Sequence, residues 1–131
     1  MAITFHPQRG TLLMCDFNTG FLPPEMVKKR PVVVLSSKHR CLAVVIPLSA
    51  TEPNPLEPCH HEMSPDSFPA SMRSVRRWAK CDMIAHVAFR RLDRVMDGKD
   101  PKIGKRIYVA PTIADVDLSA IEQAVRHVLG L

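Results

Sequence analysis

The sequence predicts a mainly β fold, a small barrel or curled antiparallel sheet, closed by one C-terminal helix. Three observations carry this. Apolar runs rich in β-branched residues recur as short segments at 11–17, 31–36 and 41–48. The connections between them are rich in Pro and Gly, which end each strand early. Helical periodicity is clearest in the last stretch, where Leu118, Ile121, Val125, Val128 and Leu129 share one stripe. No internal repeat and no linker divides the chain, so residues 1–131 read as a single domain long enough for a core.

Residues 1–8 read as a short arm. Arg9-Gly10 opens the strand 11–17, with Leu12, Met14 and Asp16 on one side and Leu13, Cys15 and Phe17 on the other. Asn18-Thr19-Gly20 is a turn signal, and 20–29 is a loop that Pro23-Pro24 stiffens without making it helical. A loop of that length between strands is more often functional than a tight turn. Pro31 fixes its own φ and holds Arg30 extended, so Lys28-Lys29-Arg30 lead directly into the strand 31–36. Residues 37–40 connect it to 41–48, which is almost wholly apolar and suits a strand buried on both faces.

Ser49-Ala50-Thr51 ends that strand. Pro53, Pro55, Pro58, Pro65 and Pro69 then make 52–69 a long connection, with room for one short strand near 61–63. Residues 75–87 are expected as the next strand, with Trp78, Lys80, Asp82 and Ile84 on a polar face and Ala79, Cys81, Met83 and Ala85 toward the core. Residues 89–95 carry Arg90, Arg91 and Arg94. A turn is expected at 97–101, and a short strand or irregular crossing at 103–109. In the closing helix Ser119 and Glu122 fit a capping box, and Gly130 stops it. Its apolar stripe is expected to pack on the domain or on a partner subunit.

A composition of 46% apolar and 24% charged residues is ordinary for a globular chain. The net charge of +5 favours polyanionic partners, nucleic acid or an acidic protein segment. The longest apolar stretch, 42–46, is far too short to cross a bilayer and nothing reads as a signal peptide. A cytoplasmic protein without a membrane partner is therefore expected. Cys15, Cys41, Cys59 and Cys81 form no CxxC pair, which argues against a dithiol redox motif or a zinc ribbon. Cys15, Cys41 and Cys81 read as buried thiols. Cys59-His60-His61 offers metal ligands, but no second cluster lies at zinc-site spacing, so neither a metal nor a cofactor is expected.

The chemistry-bearing stretch is Lys28-Lys29-Arg30-Pro31. A permanently charged guanidinium at the mouth of a rigid strand suits a phosphate-handling site; a solvated basic loop is the plainer alternative. Arg73, Arg76 and Arg77 with Trp78 could extend an RNA groove, the cations following the backbone and the ring stacking a base. Trp78 fits a core or a dimer interface equally well.

Taken in order, several motifs resemble the PemK/MazF family of toxins from type II toxin–antitoxin modules. They are Arg9-Gly10 before a strand, Asp16 near its end, Arg30-Pro31 with its Val-Val-Val-Leu, Val44-Val45-Ile46-Pro47-Leu48-Ser49, Lys80-Cys81-Asp82 and Arg91-Leu92-Asp93. The match runs from about residue 9 to 94, and the terminal helix fits it. The resemblance implies an SH3-like barrel with a C-terminal helix, working as a homodimer. It implies a metal-independent endoribonuclease cutting single-stranded RNA, often at short sequence motifs. It also implies a cognate antitoxin whose acidic, disordered segment occupies the RNA groove. The family's active region carries over to Arg30, Ser49, Lys80 and Asp82, with Lys28 and Lys29 beside them as RNA contacts. Two departures stand out: the family's arginine at the Lys80 position is a lysine here, and the loop 20–29 lacks the histidine some members use.

Metal-free RNA cleavage uses the 2′-OH as internal nucleophile. It needs a base for that hydroxyl, a cation for the crowded phosphorane and an acid for the departing 5′ oxygen. Asp82 is the expected base, with a surface ion pair to Lys80 as the structural alternative. Arg30 is the expected phosphate clamp and Lys80 the acid. Ser49 is either a hydrogen-bond donor to phosphate or a strand-end turn residue. His86, on the Lys80 face by parity, is a further proton-transfer candidate. Two other functions stay open: a toxin of the gyrase-poisoning kind, with a similar barrel but no cleavage, and an RNA binder that has lost cleavage.

Overall fold

The structure, a computed structural model, describes residues 2–131. Its strands are β1 Leu12–Asp16, β2 Lys29–Ser36, β3 Leu42–Ser49, β4 His60–Glu62, β5 Trp78–Lys80, β6 Ala85–Ala88, β7 Leu92–Asp93, β8 Val95–Lys99 and β9 Arg106–Val109, and helix α1 spans Asp115–Leu129. Antiparallel ladders order them β4-β5-β3-β2-β1-β7, with β6 also on β3 and β8–β9 as a separate ribbon. The hydrogen-bonded path has two ends, β4 and β7, so the barrel is open. The mainly β architecture with one closing helix is as the sequence predicts.

Period-2 alternation sends β2 and β3 into two cores at once. On one face Leu12, Val33, Ile46, Leu48 and Ala79 pack with Ile113, Ile121 and Val125. On the other, Leu13, Cys15, Val32, Val34 and Val45 pack with Phe17, Val87 and Leu92. Each fully buried Val or Leu contributes about 1.5–3 kcal/mol relative to exposure. That is why these two strands read as continuous apolar runs. The arm is docked as well: the Ile3 amide donates to the Leu92 carbonyl at 2.9 Å. Gly10 sits at a crossing, with φ +84, its amide donating to the Val34 carbonyl and its own carbonyl accepting from the Ile113 amide. Only glycine takes that conformation without strain.

Four expectations are corrected. Residues 75–87 are not one strand. β5 pairs with the end of β3 (Leu48 with Ala79) and β6 with its beginning (Val45 with Ala85), and the two registers differ by the length of an intervening 3-10 turn, Cys81–Met83. The turn expected at 97–101 begins later, because Gly98, at φ +73, absorbs a bulge inside β8. Cys41 is exposed at the start of its strand, whereas Cys59 is buried.

The fourth concerns the helix, which starts at Asp115, four residues before Ser119, and has no side-chain cap on its own N-cap residue, Ala114. Its cap comes from far away in sequence. The Ser67 hydroxyl accepts from the Ala114 amide at 2.9 Å. Asp117, 1% exposed in the first turn, accepts from the Ser64 amide at 3.0 Å, from the Ser67 hydroxyl, and pairs with His61 Nε2 at 2.8 Å. The Pro-rich connection is thereby fastened to the helix N-terminus, where the helix dipole favours a carboxylate. Glu122, freed from a capping box, pairs with Arg9 instead, and Arg9 also donates to the Leu35 carbonyl at 3.1 Å.

Candidate active site

The site is set by strand register. β2 and β3 pair Val32 with Pro47. Continued two residues, that register puts Arg30 opposite Ser49. Ser49 pairs in turn with Trp78, and Trp78 with Glu62. Cross-strand partners project from the same face of a sheet. Arg30, Ser49 and Trp78 therefore form one rank, and Lys80, two residues along β5 and paired with His60, shares their face. Three of the expected catalytic residues are thus brought together by three neighbouring strands.

Asp82 arrives by a different route. The 3-10 turn lifts it out of the ladder and leaves it exposed beside the start of β4, where ligand atoms of Asp82, His60 and Cys59 lie within 4.8 Å of one another. Burial pushes the Cys59 thiol above its ordinary pKa, and the Asp82 carboxylate adds to that. Among the described residues no ion pair joins Asp82 to Lys80, so the surface-pair alternative does not hold. The β1–β2 loop folds over the same region. Phe17, Phe21 and Met26 meet Asp82, Met83 and Ala85 around a cavity of about 410 Å³. Phe21 is held edge-on to Phe17 at 5.0 Å and lies under the Arg91 guanidinium.

Arg30 carries the most informative detail. Its Nε is enclosed and has no hydrogen-bond partner among the described residues. An enclosed donor left unpaired costs about 1–3 kcal/mol. Ser49 Oγ accepts from the Thr51 amide at 3.1 Å, which leaves its own proton free to donate.

Other candidates fall elsewhere. Lys29 alternates away from Arg30 and, with Met14, Pro31 and Arg94, lines a second cavity of about 520 Å³. Lys28 is exposed just before β2. The basic trio is tied into the body: Arg73 donates to the Phe68 carbonyl at 3.0 Å and Arg77 to the Met72 carbonyl at 2.9 Å. Arg76 holds Glu62 at 2.8 and 2.9 Å, and its hydrogen bond keeps the Glu62 carboxyl below the usual range. The Arg76 guanidinium also roofs the Trp78 ring at 4.8 Å. Trp78, 3% exposed, does not offer its ring for base stacking in this chain and is a core residue. His86 pairs with Val44, which lies five residues before Ser49 on β3 and so projects to the opposite face. The 3-10 turn has reversed its parity, and it leaves the site.

Sequence reading named His60 only as a possible metal ligand, not as part of this site, and did not single out Phe21. Nothing in the spacing of residues 59–61 shows that β4 will pair with β5, and only that pairing brings His60 to the site.

The chain matches the sequence model of a family, PemK-like, MazF-like toxin of type II toxin–antitoxin system, over residues 8–129. It is 33% identical over 114 residues to the Escherichia coli K-12 protein YifN, covering 72% of this chain and 76% of that protein. A Haemophilus influenzae protein is 34% identical over 110 residues, covering 74% and 77%. In fold it is similar to a mycobacterial endoribonuclease solved with its cognate antitoxin, with a TM-score of 0.63 and 19% identity over 95% of this chain and 96% of that one. It is likewise similar to MazF from Deinococcus radiodurans, with a TM-score of 0.62 and 20% identity over 97% and 99%. At these identities the structural likeness is one of fold.

Proposed function

This chain belongs to the family of PemK-like, MazF-like toxins of type II toxin–antitoxin systems, and we propose that it is an endoribonuclease that cuts single-stranded RNA without a metal. The observation that carries this reading is the fixed guanidinium of Arg30, its Nε enclosed, which the β2–β3 register, continued two residues, sets opposite Ser49. With Nε walled in, the guanidinium is held in place, and a phosphate oxygen accepts from its terminal nitrogens and from the Ser49 hydroxyl. A guanidinium fixed on a strand before substrate arrives needs little reorganisation as charge builds on the phosphorane. A toxin that only binds protein has no use for that arrangement.

In this mechanism the Asp82 carboxylate takes the 2′-OH proton. O2′ forms its bond to phosphorus, the bond to O5′ breaks, and Lys80 returns a proton to O5′. The products are a 2′,3′-cyclic phosphate and a 5′-hydroxyl. The cavity beside Asp82, with Phe21 on its wall, is suited to a flanking base. We infer two partners beyond RNA. An acidic antitoxin segment suits a chain of net charge +5, and a mycobacterial endoribonuclease of similar fold was solved with its cognate antitoxin. A second copy of this chain is the other.

The test is cleavage of single-stranded RNA by the purified protein in EDTA, with the product ends identified. Cyclic-phosphate and 5′-hydroxyl ends are expected. Cutting only after magnesium is restored, or products ending in a 3′-hydroxyl, would contradict the reading.

A further inference from the structure

We propose that Cys59, His60 and Asp82 form a binding site for a zinc-like transition-metal ion, and that the ion inhibits cleavage. The inhibitory consequence rests on the function proposed above; the site itself does not. Thiolate, imidazole and carboxylate together select zinc-like ions over magnesium or calcium. The three ligand atoms already lie within 4.8 Å of one another. Zinc bonds of about 2.0–2.3 Å in a tetrahedron put ligand atoms roughly 3.5 Å apart, so closure asks for about an ångström of movement. Asp82, exposed on its turn, has the freedom to supply it.

The other two ligands are held. The Cys59 carbonyl accepts from the Cys81 amide at 3.0 Å, and His60 is paired with Lys80 across the β4–β5 ladder. The His60 Nδ1 accepts from the Glu57 amide at 3.1 Å. Metal binding through either ring nitrogen gives up that one neutral hydrogen bond. Of the nearby charges, Lys80 opposes a cation and Glu57 favours it. Binding releases the Cys59 thiol proton to solvent, so the bound ion carries a thiolate. With three protein ligands and Asp82 at the surface, one coordination position stays open to water.

The consequence follows from Asp82. Bound to the ion, its carboxylate no longer accepts the 2′-OH proton. The metal and the cleavage step therefore exclude one another, as expected of an inhibitory metal in an enzyme that needs none for chemistry.

The test is titration of the full chain, kept reduced, with Co²⁺. A 1:1 complex with a thiolate-to-cobalt absorption band, displaced by Zn²⁺, is expected. The band should vanish in Cys59→Ser, and affinity should fall at least about tenfold in His60→Ala. The absence of the band in the wild type, or its persistence in Cys59→Ser, overturns the site. His60→Ala keeps the test decisive if Cys59→Ser does not fold, since unchanged affinity there also overturns it. Separately, saturating Zn²⁺ should slow wild-type cleavage at least about tenfold, and His60→Ala should need correspondingly more zinc for the same slowing. Zinc that binds without slowing cleavage overturns the inhibition. A cobalt band from a protein that cuts no RNA would count against the nuclease reading and leave the site standing.

Discussion

Replacing Asp82 by Asn lowers the single-turnover rate of RNA cleavage by about 10²–10⁴-fold, the span general-base catalysis contributes, while RNA binding persists. The substitution is nearly isosteric. Asp82 is exposed, and its side chain makes no hydrogen bond or ion pair among the described residues, so the fold has little to lose. What is lost is a carboxylate able to accept a proton beside Lys80 and the Arg30–Ser49 rank. Single-turnover rates under saturating protein, with binding measured on a 2′-deoxy analogue, separate chemistry from affinity. Cleavage within a few-fold of wild type would remove Asp82 as the base. The role would then pass to His60, the imidazole beside it.

Asp117→Ala has a large effect of a different kind. It should destabilise the fold by about 1–3 kcal/mol, the cost of leaving a buried polar group without its partner. The carboxylate is 1% exposed and gathers the Ser64 amide, the Ser67 hydroxyl and His61 at the first turn of the helix. Truncation leaves the buried Ser67 hydroxyl and the half-buried Ser64 amide and His61 without their acceptor and unfastens the connection around 64–67. Urea unfolding measures the loss, and limited proteolysis should find new cleavage in that connection. A loss below about 1 kcal/mol would mean that Met63 and Phe68, packed in the core, hold the segment by apolar contact alone.

The parts of this fold that were legible are those that local chemistry decides. Val32 to Leu35 and Leu42 to Leu48 announce strands buried on both faces, because both faces of the sheet are in fact cores. Pro31 after Arg30 reads correctly as a cation on an extended entry. The helix stripe is legible as far as Ile121 and Val125, which are buried, whereas Val128 and Leu129 are exposed, and Gly130 stops the helix with φ +71. What could not be read depends on partners distant in sequence. Ser119 and Glu122 look like a capping box, yet the amide of Ala114 is satisfied by Ser67. The parity of His86 depends on a 3-10 turn that only the two registers on β3 require. Trp78 looked available for stacking because its neighbours are basic. One of them, Arg76, turns out to close over its ring. Cys59 and His60 lacked a second ligand pair in sequence, and the third ligand atom comes from Asp82, across the β4–β5 ladder.

The central claim is that cleavage belongs to the face shared by Arg30, Ser49 and Lys80. The most direct measurement compares Arg30→Ala with Lys29→Ala, adjacent cations that alternation sends to opposite faces of β2. Single-turnover cleavage by Arg30→Ala should fall by about 10²–10³-fold, as when one transition-state donor is removed. Lys29→Ala should stay within a few-fold of wild type. Equal losses, or a larger loss at Lys29, would contradict the assignment and move the chemistry to the opposite face, where Lys29, Met14 and Arg94 line the second cavity.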